Sequence, residues 1–502
     1  MGYRVMTLDT WGTLPFYHVS KLSLAKPIVD RYHSRSIHIL DDDSLLNIFH
    51  LYRPVLIDEE KDDKIDILVG GDWKRERWWY KLVQVCRRWR YLILGSASHL
   101  DLCLLCTYGT PVADMLAHSP PLPLIIDHTD ESLDITTEDE EDILLTLQHR
   151  DRVRRIRLHM PVTNLRKLLV AIDEEFPMLE YLFLWNPTDD NTSLILPKTF
   201  QAPRLQSLIL EDIVYPIGSP LITTAVGLVT LMLSIPPSAY ISPYQFLLWL
   251  SLLPQLETLG IGLFSSIPTH NVERQLLHMP IMTHVTLPNL RWFVFRGVSA
   301  YLEGLLPRIM TPLLEKFQIE FVKQPTISIP HLQQFMITTK KLRFNCAKLK
   351  FSEEAVSVWM YPREWRGLEP FSMLMDCRHL DQQVASLAQI SNALRTALSA
   401  VEYLTLIYSR SSISSEWHNE ADRTQWRELL NPFTNVKTLS VAEELIGQLS
   451  RSLQSNDGEA PMELLPELKM LSYPASDDTN GAFAAFIDAR QNAGHPVAVV
   501  HI

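Results

Sequence analysis

The sequence predicts an α/β protein in which a helical N-terminal segment precedes an irregular repeat solenoid, with parallel strands on one side and helices or loops on the other. Three observations predict this class. A short apolar pattern recurs from about residue 150 onward. Proline is frequent, with 32 residues against 17 glycines, which favours many short elements because proline stops helices and is excluded from central strands. Helical periodicity is clearest near residues 41–51 and 78–92.

The recurring pattern is an apolar residue, two variable positions, a second apolar residue, one variable position and a third apolar residue. The strongest copies, which lie 23 to 34 residues apart, begin at Val153, Leu179, Leu205, Leu228, Leu256, Leu290 and Leu314. Further copies begin at Leu332, Leu368, Val401, Val436 and Leu468. One strand of this kind cannot close a core alone, whereas a stack of them can, as in leucine-rich repeats. The sequence therefore predicts a leucine-rich-repeat-like solenoid over residues 99–502, with helices at 165–176, 244–253 and 382–394.

The segment before the repeats is predicted to form a separate helical domain over residues 36–98. In its first helix, Leu45, Ile48 and Phe49 share one face, and aspartates precede them at the positive end of the helix dipole. In its second helix, Leu82, Val85, Cys86 and Trp89 form an apolar stripe. A polar insertion near 55–76 separates the two helices, and residues 1–35 form a lead-in without strong periodicity.

Charge and hydropathy argue against several function classes. A net charge of −12 argues against nucleic acid as the main partner, and the arginines at 150–157 are interpreted as the solvated face of a strand. Prolines cut the uncharged stretch 213–256 into pieces shorter than the roughly 20 residues of a spanning helix, so no membrane partner is expected. Five cysteines in this length indicate a reducing compartment, and no signal peptide is visible.

No motif indicates catalysis. Cys103 and Cys106 form a C-x-x-C, but no second ligand pair accompanies them, so they are interpreted as buried strand residues. The acidic run 138–142 is interpreted as the first turn of a helix capped by Thr136 or Thr137. Phosphate-binding glycine loops, H-E-x-x-H and G-x-S-x-G are absent from the sequence. We therefore expect no catalytic residue, no metal, no cofactor and no enzymatic activity.

The N-terminal motifs resemble the F-box. The resemblance is carried by Leu40 with Leu45-Leu46-Asn47-Ile48-Phe49, and by the run Val85-Cys86-Arg87-Arg88-Trp89-Arg90. Over residues 36–502 the chain is similar to fungal F-box-like proteins with a leucine-rich-repeat-like C-terminal domain. It shares with them the segments 71–73, 75–80, 95–98, 489–491 and 495–499.

The resemblance implies a substrate receptor of an SCF-type ubiquitin ligase in the cytoplasm, the nucleus or both. The F-box would bind a Skp-type adaptor, and through it a cullin and a RING subunit, while the repeats hold a protein target for ubiquitin-dependent degradation. The adaptor-binding residues implied by position are Leu40, Leu45, Ile48, Phe49, Val85, Cys86 and Trp89.

Two departures keep alternatives open. Asp41 or Asp42 stands where an F-box usually has proline, and about two dozen extra residues separate the helices. The adaptor-binding residues could instead form a helical cap that closes the end of the solenoid. The whole chain could then be a protein-interaction scaffold without ligase coupling.

The target is expected on the concave strand face, at the variable positions beside the inward leucines, because aromatic residues there are favoured interface anchors. The candidate target-binding residues are Tyr181, Phe183, Trp185, Ile209, Met232, Trp292 and Val294.

Overall fold

The chain divides between Tyr52 and Arg53 into two compact units, and this boundary falls inside the predicted 36–98 domain. The computed structural model describes residues 40–53, 73–129, 135–187, 194–216, 218–236, 239–263, 284–322, 327–339, 341–365, 369–409, 422–454, 464–474 and 481–501. The predicted lead-in at 1–35 and most of the predicted insertion at 55–76 lie outside these residues.

The first unit contains helix α1 (Asp42–Tyr52), which confirms the helix predicted over 41–51. Its N-terminus is fixed by Asp41, whose Oδ1 accepts a hydrogen bond from the backbone N–H of Ser44 at 2.7 Å. The side chains of Leu45 and Phe49 are buried, whereas Ile48 is exposed. The apolar surface of α1 is therefore only partly covered.

The continuous second helix predicted over 78–92 is wrong. Residues Trp73–Tyr80 and Leu82–Gln84 form 3₁₀ turns, and an α-helix, α2, runs only from Arg87 to Gly95. Cys86 interrupts the segment because its backbone is extended and its Sγ accepts a hydrogen bond from the N–H of Trp89 at 3.5 Å. A side-chain cap of this kind starts a new helix, so the predicted stripe does not lie on one helical face.

The second unit is built on a sheet of sixteen strands among the residues that the structure describes, in the order β1-β2-β3-β4-β6-β8-β9-β11-β13-β16-β15-β14-β17-β18-β19-β20. These strands are β1 Leu104–Cys106, β2 Leu124–His128, β3 Val153–His159, β4 Tyr181–Trp185, β6 Ser207–Glu211, β8 Thr230–Ile235, β9 Thr258–Leu263, β11 Trp292–Gly297, β13 Lys316–Phe321, β14 Cys346–Ser352, β15 Ala355–Tyr361, β16 Phe371–Asp376, β17 Tyr403–Ser409, β18 Thr438–Val441, β19 Met470–Tyr473 and β20 Ala498–His501. Two-residue strands form two small parallel pairs, β5 (Leu194–Ile195) with β7 (Ile213–Val214) and β10 (Val285–Thr286) with β12 (Ile309–Met310).

Helices lie between most of these strands. They are α3 Val112–His118, α4 Thr137–Leu147, α5 Val162–Ala171, α6 Leu221–Thr224, α7 Pro243–Leu250, α8 Ser299–Leu305, α9 Pro330–Thr338, α10 Leu380–Ala393, α11 Arg395–Leu398, α12 Arg423–Leu430, α13 Glu443–Leu453 and α14 Ala484–Asn492. The helices predicted at 165–176, 244–253 and 382–394 correspond to α5, α7 and α10, with shifted ends. Among the described helices, none has the length and apolar character that crossing a membrane requires.

The apolar residues of the repeat pattern form continuous rows across the sheet. In the first row, the second apolar residue of each copy stands opposite its counterpart on the next strand, from Ile156 through Leu182 and Leu208 to Leu231. These four side chains are fully buried. We call this side of the sheet the leucine face. Helices cover it: the rings of Phe317 and Phe335 on α9 are 5.4 Å apart.

This mixed α/β architecture with a large, mostly parallel sheet is consistent with a leucine-rich-repeat-like solenoid. One interruption was not predicted. Strands β14, β15 and β16 form an antiparallel meander, so β13 pairs with β16, and β14 pairs in parallel with β17.

The prediction that the copy of the pattern beginning at Leu332 forms a strand is wrong. Residues 330–338 form helix α9, which Pro330 begins. The positions that match the pattern, Leu332 and Phe335, are both buried at helical spacing. Two apolar residues three positions apart fit either element, and here the flanking proline and tertiary packing select the helix.

The arginines at 150–157 do not form a uniformly solvated face. Arg154 Nε contacts Glu180 Oε2 at 2.7 Å, and its guanidinium also contacts Asp101. Arg157 is buried and lies 6.0 Å from the ring centre of Phe183. Burial would raise the pKa of Asp101, but the hydrogen bond and charge of Arg154 outweigh it and lower that pKa. Acidic neighbours therefore hold part of the basic run in partly buried ion pairs.

The interpretations of the acidic run as a helical first turn and of the two cysteines as buried residues are confirmed. Thr136 caps α4 in a capping box with Asp139, so the acidic run is a helical first turn. Cys103 and Cys106 are buried, and three positions on an extended chain place them on opposite faces. Cys103 clusters with Leu105 and Ile125, whereas Cys106 stands opposite Ile126 of the leucine face.

A buried arginine holds the last repeat. Arg490 on α14 is only 1% exposed. Its Nη1 donates to the carbonyl of Leu465 at 3.0 Å, and its Nη2 donates to those of Pro466 and Leu468 at 3.0 and 3.1 Å. These carbonyls belong to the turn before β19, where Leu465 has a positive φ of 50°. The guanidinium thus binds three carbonyls of a turn whose own backbone hydrogen bond runs from the N–H of Leu468 to the carbonyl of Leu465.

We expect Arg490→Met to destabilise the C-terminal repeat by about 3 kcal/mol, because three carbonyls, two of them in buried residues, lose charge-assisted hydrogen bonds. Native-state hydrogen exchange of residues 464–501 would then accelerate about 100-fold. Arg343→Met, at an exposed position, is the control and should change exchange little. Equal effects of the two variants would contradict this role of Arg490.

A buried histidine at the end of β2 makes stability depend on pH. His128 faces the helices, with its ring 4.6 Å from that of Tyr108. Burial lowers its pKa from 6.5 to about 4, although the charge of Asp139 acts in the opposite direction. Between these two pH values the unfolded chain binds a proton that the folded chain excludes.

The free energy of unfolding should therefore fall as pH decreases from about 6.5 towards 4, by roughly 2 kcal/mol at pH 5, with no contribution from His128 above that window. We expect His128→Phe to lose this slope and His118→Phe, at an exposed position, to keep it. Denaturation of the three proteins at pH 7, 6 and 5 measures the slopes, and identical slopes would refute the assignment.

Candidate functional site

The side of the sheet opposite the leucine face, here called the outer face, carries every predicted target-binding residue. Side chains alternate along a strand, so the positions between the buried apolar residues point to this side. In-register pairing arranges them in three transverse rows. The outer face is the candidate binding surface because its side chains do not pack into the core between the sheet and the helices.

The middle row is an apolar strip. From β4 to β11 it consists of Phe183, Ile209, Met232, Gly260 and Val294, each opposite the next. Phe183 and Ile209 are only 1% exposed, whereas Met232 and Val294 are partly exposed. A Cβ on Gly260 would lie 2.9 Å from Met232 Cε, so the methionine side chain leans over the glycine. The accessible part of the strip is therefore centred on β8–β11.

The row at the N-terminal ends of the strands has hydroxyl side chains between two aromatic residues and ends at a lysine. Its members are Tyr181, Ser207, Thr230, Thr258, Trp292 and Lys316. Burial raises the pKa of Tyr181 to about 12, so its phenol stays protonated. Lys316 Nζ lies 5.4 Å from the ring centre of Trp292. This row offers hydrogen-bond donors and a cation.

The row at the C-terminal ends of the strands is charged. Its members are His159, Trp185, Glu211, Ser234, Gly262, Arg296 and Glu320. The rings of His159 and Trp185 stack with centroids 4.0 Å apart, and Arg296 Nε lies 3.0 Å from Glu320 Oε1. Burial and the nearby Asp212 raise the pKa of Glu211 despite the charge of Arg296.

The outer face continues across the antiparallel meander with aromatic and basic side chains. Lys348 Nζ lies 5.4 Å from the ring centre of Trp359 on the adjacent strand, and the Arg363 guanidinium lies 4.4 Å from that of Tyr403. Sequence analysis missed this region because β14 and β15 do not carry the repeat pattern. The alternation of lysine with apolar residues in β14 is a signal that could have indicated a strand.

The predicted target-binding residues are thus brought to one face but in two groups. Tyr181, Phe183, Trp185, Ile209 and Met232 lie on the adjacent strands β4, β6 and β8. Trp292 and Val294 lie on β11, beyond the glycine-bearing strand β9. Their role in binding stays a prediction.

The predicted adaptor-binding residues differ in accessibility. In the first unit, Leu40 and Ile48 are exposed, whereas Leu45 and Phe49 are buried. In the second unit, Val85 is exposed, and Cys86 and Trp89 are partly exposed. Cys86 also has a local structural role as the cap of α2.

The residues that the structure describes contain no group of three or more His, Cys, Asp or Glu side chains that could hold a metal ion. The candidate surface is instead composed of aromatic, hydroxyl and charged side chains on neighbouring strands. Such a surface offers the contacts of macromolecular recognition.

Comparison with known proteins adds little to this description. No protein-family model matches the chain, and no curated protein matches it. Among solved structures, the chain is similar to the leucine-rich repeat-containing protein LegL7 from Legionella pneumophila, at 11% identity and a TM-score of 0.26, over 79% of this chain and 99% of that one. A likeness this weak carries no argument, so the assignment of the repeats rests on the sheet itself.

Proposed function

We propose that this chain is a target-recognition subunit of an SCF-type ubiquitin ligase, in which the outer face binds a protein target and the N-terminal segment binds a Skp-type adaptor. The observation that carries the proposal is the continuous outer face, where in-register strands present rows of side chains beyond those needed for the core. In this proposal the chain supplies recognition, and ubiquitin transfer belongs to other subunits reached through the adaptor and a cullin.

Target binding is supported by the composition of the outer face. Trp185 and Met232 are partly exposed, and Arg296 and Glu320 lie on the same face. Aromatic residues, methionine and arginine are enriched at protein interfaces. Trp185 already stacks on His159, and Arg296 already pairs with Glu320, so these side chains lose less conformational freedom on binding.

Adaptor binding is supported by the F-box resemblance and by exposed apolar side chains. Sixteen large hydrophobic side chains are exposed among the described residues, and four of them lie within residues 40–52. On α1, Leu51 is 82% exposed and Ile48 is 43% exposed. A helix that displays such residues is suited to a helix-in-groove contact with another protein.

The second candidate function is a repeat scaffold without ligase coupling. The absence of proline at positions 41 and 42 and the interruption of the predicted second helix at Cys86 favour it. The two functions share the outer face and differ only in whether the N-terminal segment captures an adaptor.

We expect Ile48→Glu and Val85→Glu each to reduce capture of a Skp-type adaptor at least tenfold, because a carboxylate would enter an apolar contact. Both side chains are exposed, so these variants test binding with less risk to folding than Leu45→Asp. Val170→Glu, at an exposed position on α5, is the matched control. Co-purification with the adaptor is the measurement, and a folded wild type without adaptor would favour the scaffold.

We expect Met232→Lys combined with Trp185→Ala to remove protein partners of the repeats while adaptor capture persists. The first change places a charge on the accessible apolar strip, and the second removes an aromatic anchor. Val226→Lys, in an exposed turn before β8, is the control. Quantitative affinity purification compares the three proteins, and unchanged partners in the double variant would place target binding elsewhere.

A further inference from the structure

We propose that the outer face of strands β11, β13, β16, β15 and β14, here called the basic strip, binds an extended acidic segment of the protein target. This inference rests on the proposed function, because it assumes that the outer face holds the target, and it adds the chemistry of the target. Three independent features of the strip carry it.

The first feature is an excess of positive charge. Lys316, Lys348 and Lys350 occupy outer-face positions, and none of them forms an ion pair within the described part of the chain. Glu315, the residue before Lys316, is already paired with Arg291 and Lys341. Of the acidic residues on these strands, Glu320 is held by Arg296, and Asp376 stands at the far end of β16. In a chain with a net charge of −12, this local excess of lysine is complementary to an acidic partner.

The second feature is a pair of buried donors without acceptors. Trp292 and Gln318 are each more than nine-tenths buried, and the indole Nε1 and amide Nε2 have no hydrogen-bond partner among the residues that the structure describes. They lie on adjacent strands. Trp292 stands opposite Lys316, and Gln318 follows Lys316 by two positions on the same face, so the two residues are diagonal neighbours. Buried N–H groups of this kind favour a ligand that brings oxygen acceptors. Carboxylates and backbone carbonyls supply them.

The third feature is aromatic surface beside the cations. Trp292 lies beneath Lys316, and Trp359 lies beneath Lys348, in each case 5.4 Å from the ammonium nitrogen. The rings hold the lysine side chains along the sheet, so their charges are positioned before a ligand arrives. They also provide apolar contact for the methylene groups of glutamate.

The spacing of the lysines indicates an extended segment. Three strand steps separate β13 from β14, through β16 and β15. At about 4.8 Å per step, this places Lys316 and Lys348 on the order of 14 Å apart across the sheet. An extended peptide spans that distance in about four or five residues. The geometry therefore fits two acidic positions separated by four or five residues.

A peptide fits this strip better than a nucleic acid. Binding of a phosphate backbone requires a concentrated basic surface, and the acidic chain as a whole repels a polyanion. Three dispersed lysines with two neutral donors match carboxylates that are spaced along a polypeptide.

The test uses the full chain and a fluorescein-labelled twelve-residue peptide that carries two Glu-Glu pairs separated by four Ser or Gly residues. Fluorescence anisotropy should show binding that is at least tenfold weaker for the same peptide with Gln in place of Glu. Lys316→Glu combined with Lys348→Glu should weaken binding at least tenfold. Lys198→Glu, in an exposed turn, should change it less than twofold. Trp292→Phe and Gln318→Leu, which each remove one donor, should weaken binding three- to tenfold.

Three results would overturn the inference: no binding by folded wild type, equal binding of the Gln peptide, or tighter lysine-dependent binding of a ten-nucleotide oligouridylate. Adaptor and partner capture are measured on the same preparations. If both persist while the acidic peptide fails to bind, the proposed function stands and only the acidic assignment falls. If the peptide binds in a lysine-dependent manner without adaptor capture, the basic strip is supported and the scaffold function replaces ligase coupling.

Discussion

The strands inside the sheet bury their leucine-face side chains against those of the strands on both sides. Leu208, for example, stands between Leu182 and Leu231, and all three are fully buried. Burying one leucine contributes about 2 kcal/mol, but no single strand achieves this burial without its neighbours. The in-register row is therefore the constraint on which the architecture and the outer face depend.

The same constraint explains why recognition can be separated from stability. Because side chains alternate, the residues that build the core and the candidate target-binding residues lie on opposite faces of the same strands. On β13, Phe317 and Ile319 pack beneath the helices, while Lys316 and Gln318 point outward. The partly exposed outer-face positions, such as Lys316, can thus vary without changing the leucine-face rows, which is the property that the proposed target-binding role requires.

The antiparallel meander of β14, β15 and β16 interrupts the parallel sheet without interrupting its core. Strand β15 runs against its neighbours, yet Val358 and Met360 remain buried in the leucine-face rows. Gln383 of α10 is fully buried and donates to the carbonyls of Ser352 and Cys377 at 2.7 and 2.6 Å, which secures the ends of the meander. The interruption therefore keeps the core continuous while it changes the outer face from hydroxylated to aromatic and basic.

The sequence by itself determined the repeat strands, helix α1, the capped acidic helix and the buried cysteines, because apolar period and capping residues are local signals that tertiary contacts reinforce. Other local patterns are compatible with more than one structure, and only the tertiary structure decided between the alternatives. Residues 330–338 form a helix, Cys86 divides a predicted helix, and Arg157 is buried beside Phe183. The basic strip, too, exists only after β14 and β15 are placed between β16 and β17, because strand order is set by long-range pairing that no local pattern encodes.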